Sequence, residues 1–312
     1  MKTNISVVIN TLNEEKNIGL AIRSVKKYAD EIIVVDMHSE DKTVKIAEKL
    51  GAKVYFHKKM GYVEPARNYA INKAKRKWIL ILDADETIPS TLGKKLVDIA
   101  RQKDTDYDHV LIPRKNIIFG KWIQNSRWWP DYNPRFFKRG KIDWPKQIHQ
   151  KPELIGEIYS LPDEEQYALI HHNYDTLDQF LTRAIRYADV QSDELIKEKK
   201  YRLSVADLIL KPTGEFLSRF FAGEGYKDGL HGLSLAILQM YSSSLIYLKV
   251  WEKQKYEEKN IEEKKIKEIF TRLVYEIEYW HDQWALDRMQ GVKKEVWKYV
   301  FKTKNALLKV LK

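Results

Sequence analysis

Apolar and polar positions in the first hundred residues switch between two spacings. Ile5-Ser6-Val7-Val8-Ile9 reads as a short buried strand, and Ile18, Ile22 and Val25, after the loop NTLNEEKN, mark one face of a helix. EIIVVD (31–36) predicts a second strand, and Val44, Ala47 and Leu50 a helix stopped by Gly51. AKVYF (52–56) predicts a third strand, and Ala66, Ala70 and Ala74 another helix. A fourth strand, WILIL, runs directly into Asp83, Ala84, Asp85 and Glu86. Ser90 or Thr91 is placed to cap the helix that carries Leu92, Leu96 and Ile99. This alternation predicts βαβ units on a mostly parallel sheet with helices on both faces, an α/β class.

The pattern changes twice further on. From His109 to Trp144, short apolar runs such as HVLIP and RFFKR alternate with turns rich in Trp, Pro and Asn. Beyond Asp175 the spacing is helical, with Leu177, Leu181 and Ile185 on one face and another apolar segment at Leu203 to Leu210. KPTGEFLSRFFAGEGYKDGLHG (211–232) reads as a basic, glycine-punctuated connection. One long charged helix is expected over about 252–290, with Ile266, Ile269, Leu273, Ile277, Trp280 and Trp284 on its apolar side. Two domains are therefore expected, at 1–175 and 176–312, the second a helical C-terminal extension.

Composition narrows the functional classes. With no cysteine among 312 residues, disulfides and thiolate metal sites are excluded. The formal charge of +11 favours an anionic partner. Met1-Lys2-Thr3-Asn4 runs straight into the first strand, so no secretory leader is expected. The stretch Leu230 to Trp251 is interrupted by His231, Gln239, three serines and Lys249, and spanning needs about 20 predominantly apolar residues, so an interfacial or buried helix is expected there. From Gly291 to Lys312 seven lysines face a single acid, Glu295, while Val292, Val296, Val300, Leu307 and Leu311 fall near one side. That pattern fits a helix lying on an anionic membrane surface, or one packed on its own domain or on a second copy through the C-terminal helices. No nucleic-acid-binding motif accompanies the charge, so nucleic acid is the weaker use of it.

The candidate chemistry sits at the strand ends. On a continued strand, Asp83 and Asp85 share a face, and two such carboxylates call for a cation, naturally a hard divalent metal. The other reading is a solvated turn whose acids cap the next helix or pair with nearby lysines. Asp36 ends a second strand in VVDMHSEDKT (34–43), where Ser39, Asp41 and Thr43 suit a turn and helix cap, whereas that turn has no evident need of Asp36. Strand carboxyl ends are where α/β sheets bind ligands, so Asp36 and the acidic cluster are expected to share one crevice.

ISVVINTLNEEKNI, EIIVVDMHSEDKT, GYVEPARNYAI and WILILDADE, in this order, closely resemble family 2 glycosyltransferases of the GT-A (Rossmann-like) fold. PDYNPRFFKRG, IHQKPE and HHNYDTLDQFLTRAIRY further resemble the branch of lipopolysaccharide inner-core glucosyltransferases. The resemblance implies an inverting hexosyltransferase, glucose favoured, with a UDP-sugar donor and a Mn²⁺ or Mg²⁺ cofactor. It implies a glycolipid or lipopolysaccharide-type acceptor in cell-envelope glycan synthesis; the lack of cysteine suits a cytoplasmic location, and the basic tail together with the 211–251 segment suggests peripheral attachment to the inner face of a membrane. A protein or peptide acceptor, or nucleotide-sugar binding without turnover, are the alternatives.

Carried over residue by residue, Thr11, Asn13, Glu14 and Asp36 surround the base and ribose, Arg67 approaches the ribose or diphosphate, Asp83 lies near the ribose or metal, and Asp85 is the firmer metal ligand. Inversion needs a base for the acceptor proton. The branch places an acid directly after a histidine resembling His149, where this chain has Gln150. Asp131 is the substitute candidate, with Glu86 and Glu153 behind it. His149, His171 and His172 are candidates for a further metal ligand, although a core or loop position is the commoner fate of a histidine. Trp122, Trp128, Trp129 and Trp144 provide either an acceptor platform or a core floor.

Overall fold

The computed structural model describes residues 2–59, 64–144, 152–199 and 201–310. The chain divides into two compact units, Met1–Thr176 and Leu177–Lys312.

The first unit is built on a seven-stranded sheet. Its strands come in chain order as β1 (Ile5–Thr11), β2 (Glu31–Asp36), β3 (Lys53–Phe56) and β4 (Trp78–Asp83), followed by the short β5 (Glu86–Thr87) of a second sheet. Next come β6 (His109–Ile112), β7 (Arg114–Ile118), β8 (Lys121–Trp122), β9 (Asn133–Lys138), β10 (Ile142–Asp143), β11 (Glu153–Leu154), β12 (Ile158–Ser160) and β13 (Leu169–Tyr174). The helices of this unit are α1 (Ile18–Val25), α2 (Thr43–Lys49), α3 (Glu64–Lys73) and α4 (Ser90–Arg101). The main sheet has the order β12-β6-β9-β4-β1-β2-β3. β4, β1, β2 and β3 are parallel, while β9 runs antiparallel to both β4 and β6.

Every residue of β1 and β2 is buried, because apolar layers cover both faces of the sheet. Ile5, Val7 and Ile9 pack with Ile22, Ala47 and Leu96 on one side. Val8, Ile33, Ile79 and Ile81 pack with Ala70, Ala74 and Phe137 on the other. The period-two alternation of each strand thus feeds two cores. The expected α/β class with a mostly parallel sheet is observed.

α4 closes over the sheet through a glycine. A Cβ at Gly93 would stand 2.3 Å from the Tyr28 ring, so only glycine allows this approach. The helix begins at Ser90 itself with Pro89 as its N-cap, and no side chain caps it, contrary to the expectation for Ser90 or Thr91. Ser90 Oγ instead lies 2.9 Å from the Tyr28 hydroxyl.

A second, four-stranded sheet has the order β5-β13-β7-β8. The chain leaves the main sheet at Asp83, turns through Ala84 and Asp85, and enters this sheet at Glu86. His171 of β13 is in register with Glu86 on one side and Asn116 on the other.

The second unit holds α5 (Leu177–Lys199), α6 (Val205–Leu217), α7 (Leu230–Lys253), α8 (Glu263–Asp287) and α9 (Gly291–Val310). The expected connection at 211–232 is largely helical: α6 starts from a Ser204–Asp207 capping box, runs through Pro212 and passes into a wide turn at Ser218–Ala222. The expected helix at 252–290 is the end of α7, a turn and α8. Lys255 and Tyr256 adopt left-handed backbone conformations that stop α7. α7 is long and apolar enough to cross a membrane by length and composition, with a mean hydropathy of 1.3, and little of it is buried.

Candidate active site

The loops after β1 and β2 are tied to each other by side chains that accept from backbone N–H groups. Asp36 is fully buried, and its carboxylate accepts from the backbone N–H and the hydroxyl of Ser39. The turn therefore does use Asp36, because its carboxylate holds both the N–H and the hydroxyl of Ser39. Ser39 Oγ accepts from Asn13 N at 2.8 Å, and Asn13 Oδ1 accepts from Glu40 N at 2.8 Å. Glu14 N donates to Thr43 Oγ1, and Asp41 holds the N–H of Thr43. Thr11 is in register with Asp36, and its buried hydroxyl has no hydrogen-bond partner among the described residues. Thr11, Asn13, Glu14 and Asp36 thus lie together at one end of the sheet.

Arginines neutralise Asp83 and Glu86 of the acidic cluster. Arg67 of α3 reaches Asp83 at 3.1 Å, and Arg135 of β9 bonds Asp83 through the same Nη2 that reaches Glu86 Oε1 at 2.7 Å. Arg114 at the start of β7 continues the chain, lying 3.4 Å from Glu86 and 2.7 Å from Asp131. Burial alone would raise the Asp83 pKa, but the Arg135 and Arg67 guanidiniums hold it far below the ordinary carboxylate range. Burial opposes the charge on Arg135 and Arg114 too, yet the flanking carboxylates keep both pKa values above the ordinary arginine value.

Asp83 and Asp85 do not share a strand face, because β4 ends at Asp83 and Asp85 lies in the turn. Asp85 faces β13 instead: its Oδ2 is 3.4 Å from His171 Nε2. His171 Nδ1 is 2.7 Å from Asn116 Oδ1. Among the described residues no three His, Asp or Glu groups gather as a complete metal cage. A carboxylate and an imidazole nitrogen that converge are nonetheless a fitting donor pair for Mn²⁺, whose remaining positions suit water and phosphate oxygens. Charge favours this among the described residues: Arg67, Arg114 and Arg135 pair with Asp83, Glu86 and Asp131, while Asp85 stands beside His171, so three guanidiniums meet four carboxylates and a divalent cation would tip the balance to positive.

Asp131 follows a cis Trp129–Pro130 bond and has φ of 41°. Its Oδ2 accepts from Arg114 Nε at 2.8 Å and Asn116 Nδ2 at 2.9 Å. Among the described residues, Oδ1 has a 3.5 Å approach from Asn133 and no closer one. Glu86 is fully buried and bonded to Arg135, Arg114 and the backbone N–H of Asp83, so it is structural glue. Glu153 is exposed on the separate β10–β11 pair. His172 is exposed while its N–H binds Asp85 O. His149 and Gln150 lie outside the described residues. Trp144 is a core residue beneath Arg67, 5.1 Å from ring centre to guanidinium, whereas Trp122 and Trp129 meet edge to face at 5.1 Å.

Sequence reasoning did not single out Arg114, Arg135 or Asn116. The signal for Arg135 was its place beside two buried phenylalanines in a strand, where a charge requires partners.

Charged side chains gathered at the carboxyl ends of parallel strands define a ligand-binding α/β enzyme domain. Residues 6–152 match the Glycosyl transferase family 2 description. An uncharacterized glycosyltransferase of Rickettsia bellii (strain RML369-C) is 32% identical over 260 residues, 80% of this chain and 86% of that one. The chain belongs to glycosyltransferase family 2 and is a glycosyltransferase of the GT-A fold. It is also similar to the lipopolysaccharide core biosynthesis glycosyltransferase LpsC of Rhizobium meliloti (strain 1021), at 25% identity over 264 residues, covering 81% of this chain and 93% of LpsC. Among solved structures, S. aureus TarS 1–349 in complex with UDP is similar at 17% identity and a TM-score of 0.42, over 84% of this chain and 94% of that chain.

Proposed function

We propose that this glycosyltransferase moves a hexose, glucose favoured, from a UDP-sugar to a hydroxyl of a glycolipid or lipopolysaccharide-type acceptor, with inversion at the anomeric carbon. The observation that carries the reading is the convergence of the Asp85 carboxylate and His171 Nε2 beside an arginine-lined strand end. The likeness to LpsC supports the acceptor class.

Thr11, Asn13, Glu14 and Asp36 form the wall for the base and ribose. The buried Thr11 hydroxyl supplies a bonding group for the nucleoside. Arg67 is placed to exchange its bond to Asp83 for one to the diphosphate, and Asp83 orients Arg67 and Arg135. Asp85 and His171 hold Mn²⁺ or Mg²⁺, which supplies charge stabilisation for the departing nucleotide. Asp131 Oδ1 takes the acceptor proton as the acceptor oxygen bonds the anomeric carbon. The bond from that carbon to the diphosphate breaks, and its electron pair leaves on the UDP oxygen. Arg114 and Asn116 hold the Oδ2 atom and so aim Oδ1.

The test is UDP release with a panel of UDP-hexoses and acceptors, with Mn²⁺ and with a chelator. Asp85→Asn is expected to abolish metal-dependent turnover, and Asp131→Asn to lower kcat by about 10²–10⁴-fold while donor KM stays close to wild type. Wild-type rates in Asp85→Asn overturn the metal assignment. Wild-type kcat in Asp131→Asn removes it as base.

A further inference from the structure

Asn116 lies at the middle of β7, fully buried, and each polar atom of its amide is committed. Its Nδ2 donates to Trp128 O at 2.8 Å and to Asp131 Oδ2 at 2.9 Å. Both partners only accept, so the amide cannot be turned over without setting its oxygen against two acceptors. Its Oδ1 must therefore face His171, 2.7 Å away, and an amide oxygen only accepts. The proton between them belongs to His171 Nδ1. In the neutral imidazole, His171 Nε2 then carries the lone pair on the side where Asp85 Oδ2 stands 3.4 Å away.

We propose that Asn116 is a positioning residue that fixes two parts of the reaction through one amide. Its oxygen selects the His171 tautomer that offers Nε2 to the cation. Its nitrogen fixes the Asp131 carboxylate that takes the acceptor proton. The inference rests on the assignment of Asp85 and His171 as metal ligands and of Asp131 as base. The sheet gives it a physical basis: Asn116 and His171 are register partners on parallel strands, so their separation is set by the ladder and not by a loop. Glu86, the register partner of His171 on its other side, belongs to the arginine chain that ends on Asp131 through Arg114. The sugar-transfer machinery is thereby held from two directions by buried polar contacts.

The two arms separate in two variants of the full chain. Asn116→Ala removes both, and Mn²⁺ affinity in the presence of UDP, measured by titration calorimetry or electron paramagnetic resonance, is expected to fall about 10–100-fold, the usual loss when the partner of a metal-bound histidine is removed. Asn116→Asp keeps an acceptor for His171 but replaces the donor to Asp131 by a like charge. It is expected to bind Mn²⁺ close to wild type while kcat falls and donor KM holds. In the His171→Ala background, Asn116→Ala should cost no further Mn²⁺ affinity.

A second measurement uses the unsubstituted protein, so it stands even where Asn116→Ala does not fold. Histidine ¹⁵N–¹H correlation spectra should show His171 protonated at Nδ1. A proton on Nε2 with Nδ1 bare overturns the proposal, as does wild-type Mn²⁺ affinity in folded Asn116→Ala when Asp85→Asn and His171→Ala have lost theirs. If Asp85→Asn and His171→Ala also bind Mn²⁺ like wild type, the metal reading itself falls.

Discussion

Arg135 is almost wholly buried and divides one guanidinium nitrogen between the half-buried Asp83 and the fully buried Glu86, where solvent cannot replace it. Removing one partner of such a buried group costs more than the pair contributes, about 3–5 kcal/mol, because charges are left uncompensated. Arg135→Met should lower unfolding free energy by that order at pH 7, measured by urea titration. The pH dependence follows from Asp83. Its pKa in the folded protein is depressed, so its stabilisation is present above the ordinary value of 3.8 and is lost as pH falls below it. Wild type should therefore lose stability below about pH 4, and the gap to Arg135→Met should narrow there. A gap that stays constant from pH 7 to pH 3 sinks the ion-pair account. Pairing of the acids with lysines was an open reading, but the arginine partners were not singled out from the residues alone. The acids announced a need for positive charge, but three arginines from α3, β7 and β9 answer it before any metal does.

Elements of the first unit were legible where apolar periodicity was strong. β1, β2 and β4 announce themselves because residues on both faces are buried, and α1 and α4 because their apolar stripes repeat at helical spacing. β5 and β8 are two residues long, and β13 carries His171, His172 and Asn173, so the second sheet has no periodic signal. The error over Asp83 and Asp85 has this origin: a strand that changes sheets after Asp83 looks, in sequence, like one that continues. The tight seat of α4 was equally hidden, since Gly93 reads as a weak spot in a helix. Gly93→Ala would drive a methyl into the Tyr28 ring, and although alanine favours helix by about 1 kcal/mol, overpacking of this kind costs about 1–3 kcal/mol. A net loss of thermal stability is expected in melts of Gly93→Ala, relieved when Tyr28→Leu is added. A variant as stable as wild type would mean that the ring moves aside freely.

At the scale of the whole molecule, the positive charge and the unburied apolar surface meet in the second unit. Among the described side chains of α9, Phe301 is buried, while Val292, Val296, Tyr299 and Val300, 81%, 57%, 76% and 46% exposed, recur at helical spacing on the opposite side. The expected stripe of Val292, Val296 and Val300 thus points to solvent; Leu307 and Leu311 lie outside the residues whose side chains are described. α8 repeats the pattern with exposed Phe270, Val274 and Ile277, and α7 with Leu230, Ile237, Tyr241 and Leu248. Exposed apolar stripes this extensive mark an interaction surface. The seven lysines against one acid in 291–312 select an anionic membrane over a neutral partner, since each lysine near an anionic surface contributes about 1 kcal/mol. We propose peripheral attachment to such a surface, which would also present a lipid-linked acceptor. Flotation with phosphatidylglycerol vesicles should carry the full chain upward, weakly with zwitterionic vesicles and less at high salt. Val296→Asp with Tyr299→Asp should reduce flotation without changing UDP release on a soluble acceptor, because neither residue belongs to the first unit. Failure of the full chain to float with anionic vesicles removes the membrane reading. If it also sediments as a dimer that the double variant splits, the stripe is an interface between two copies instead.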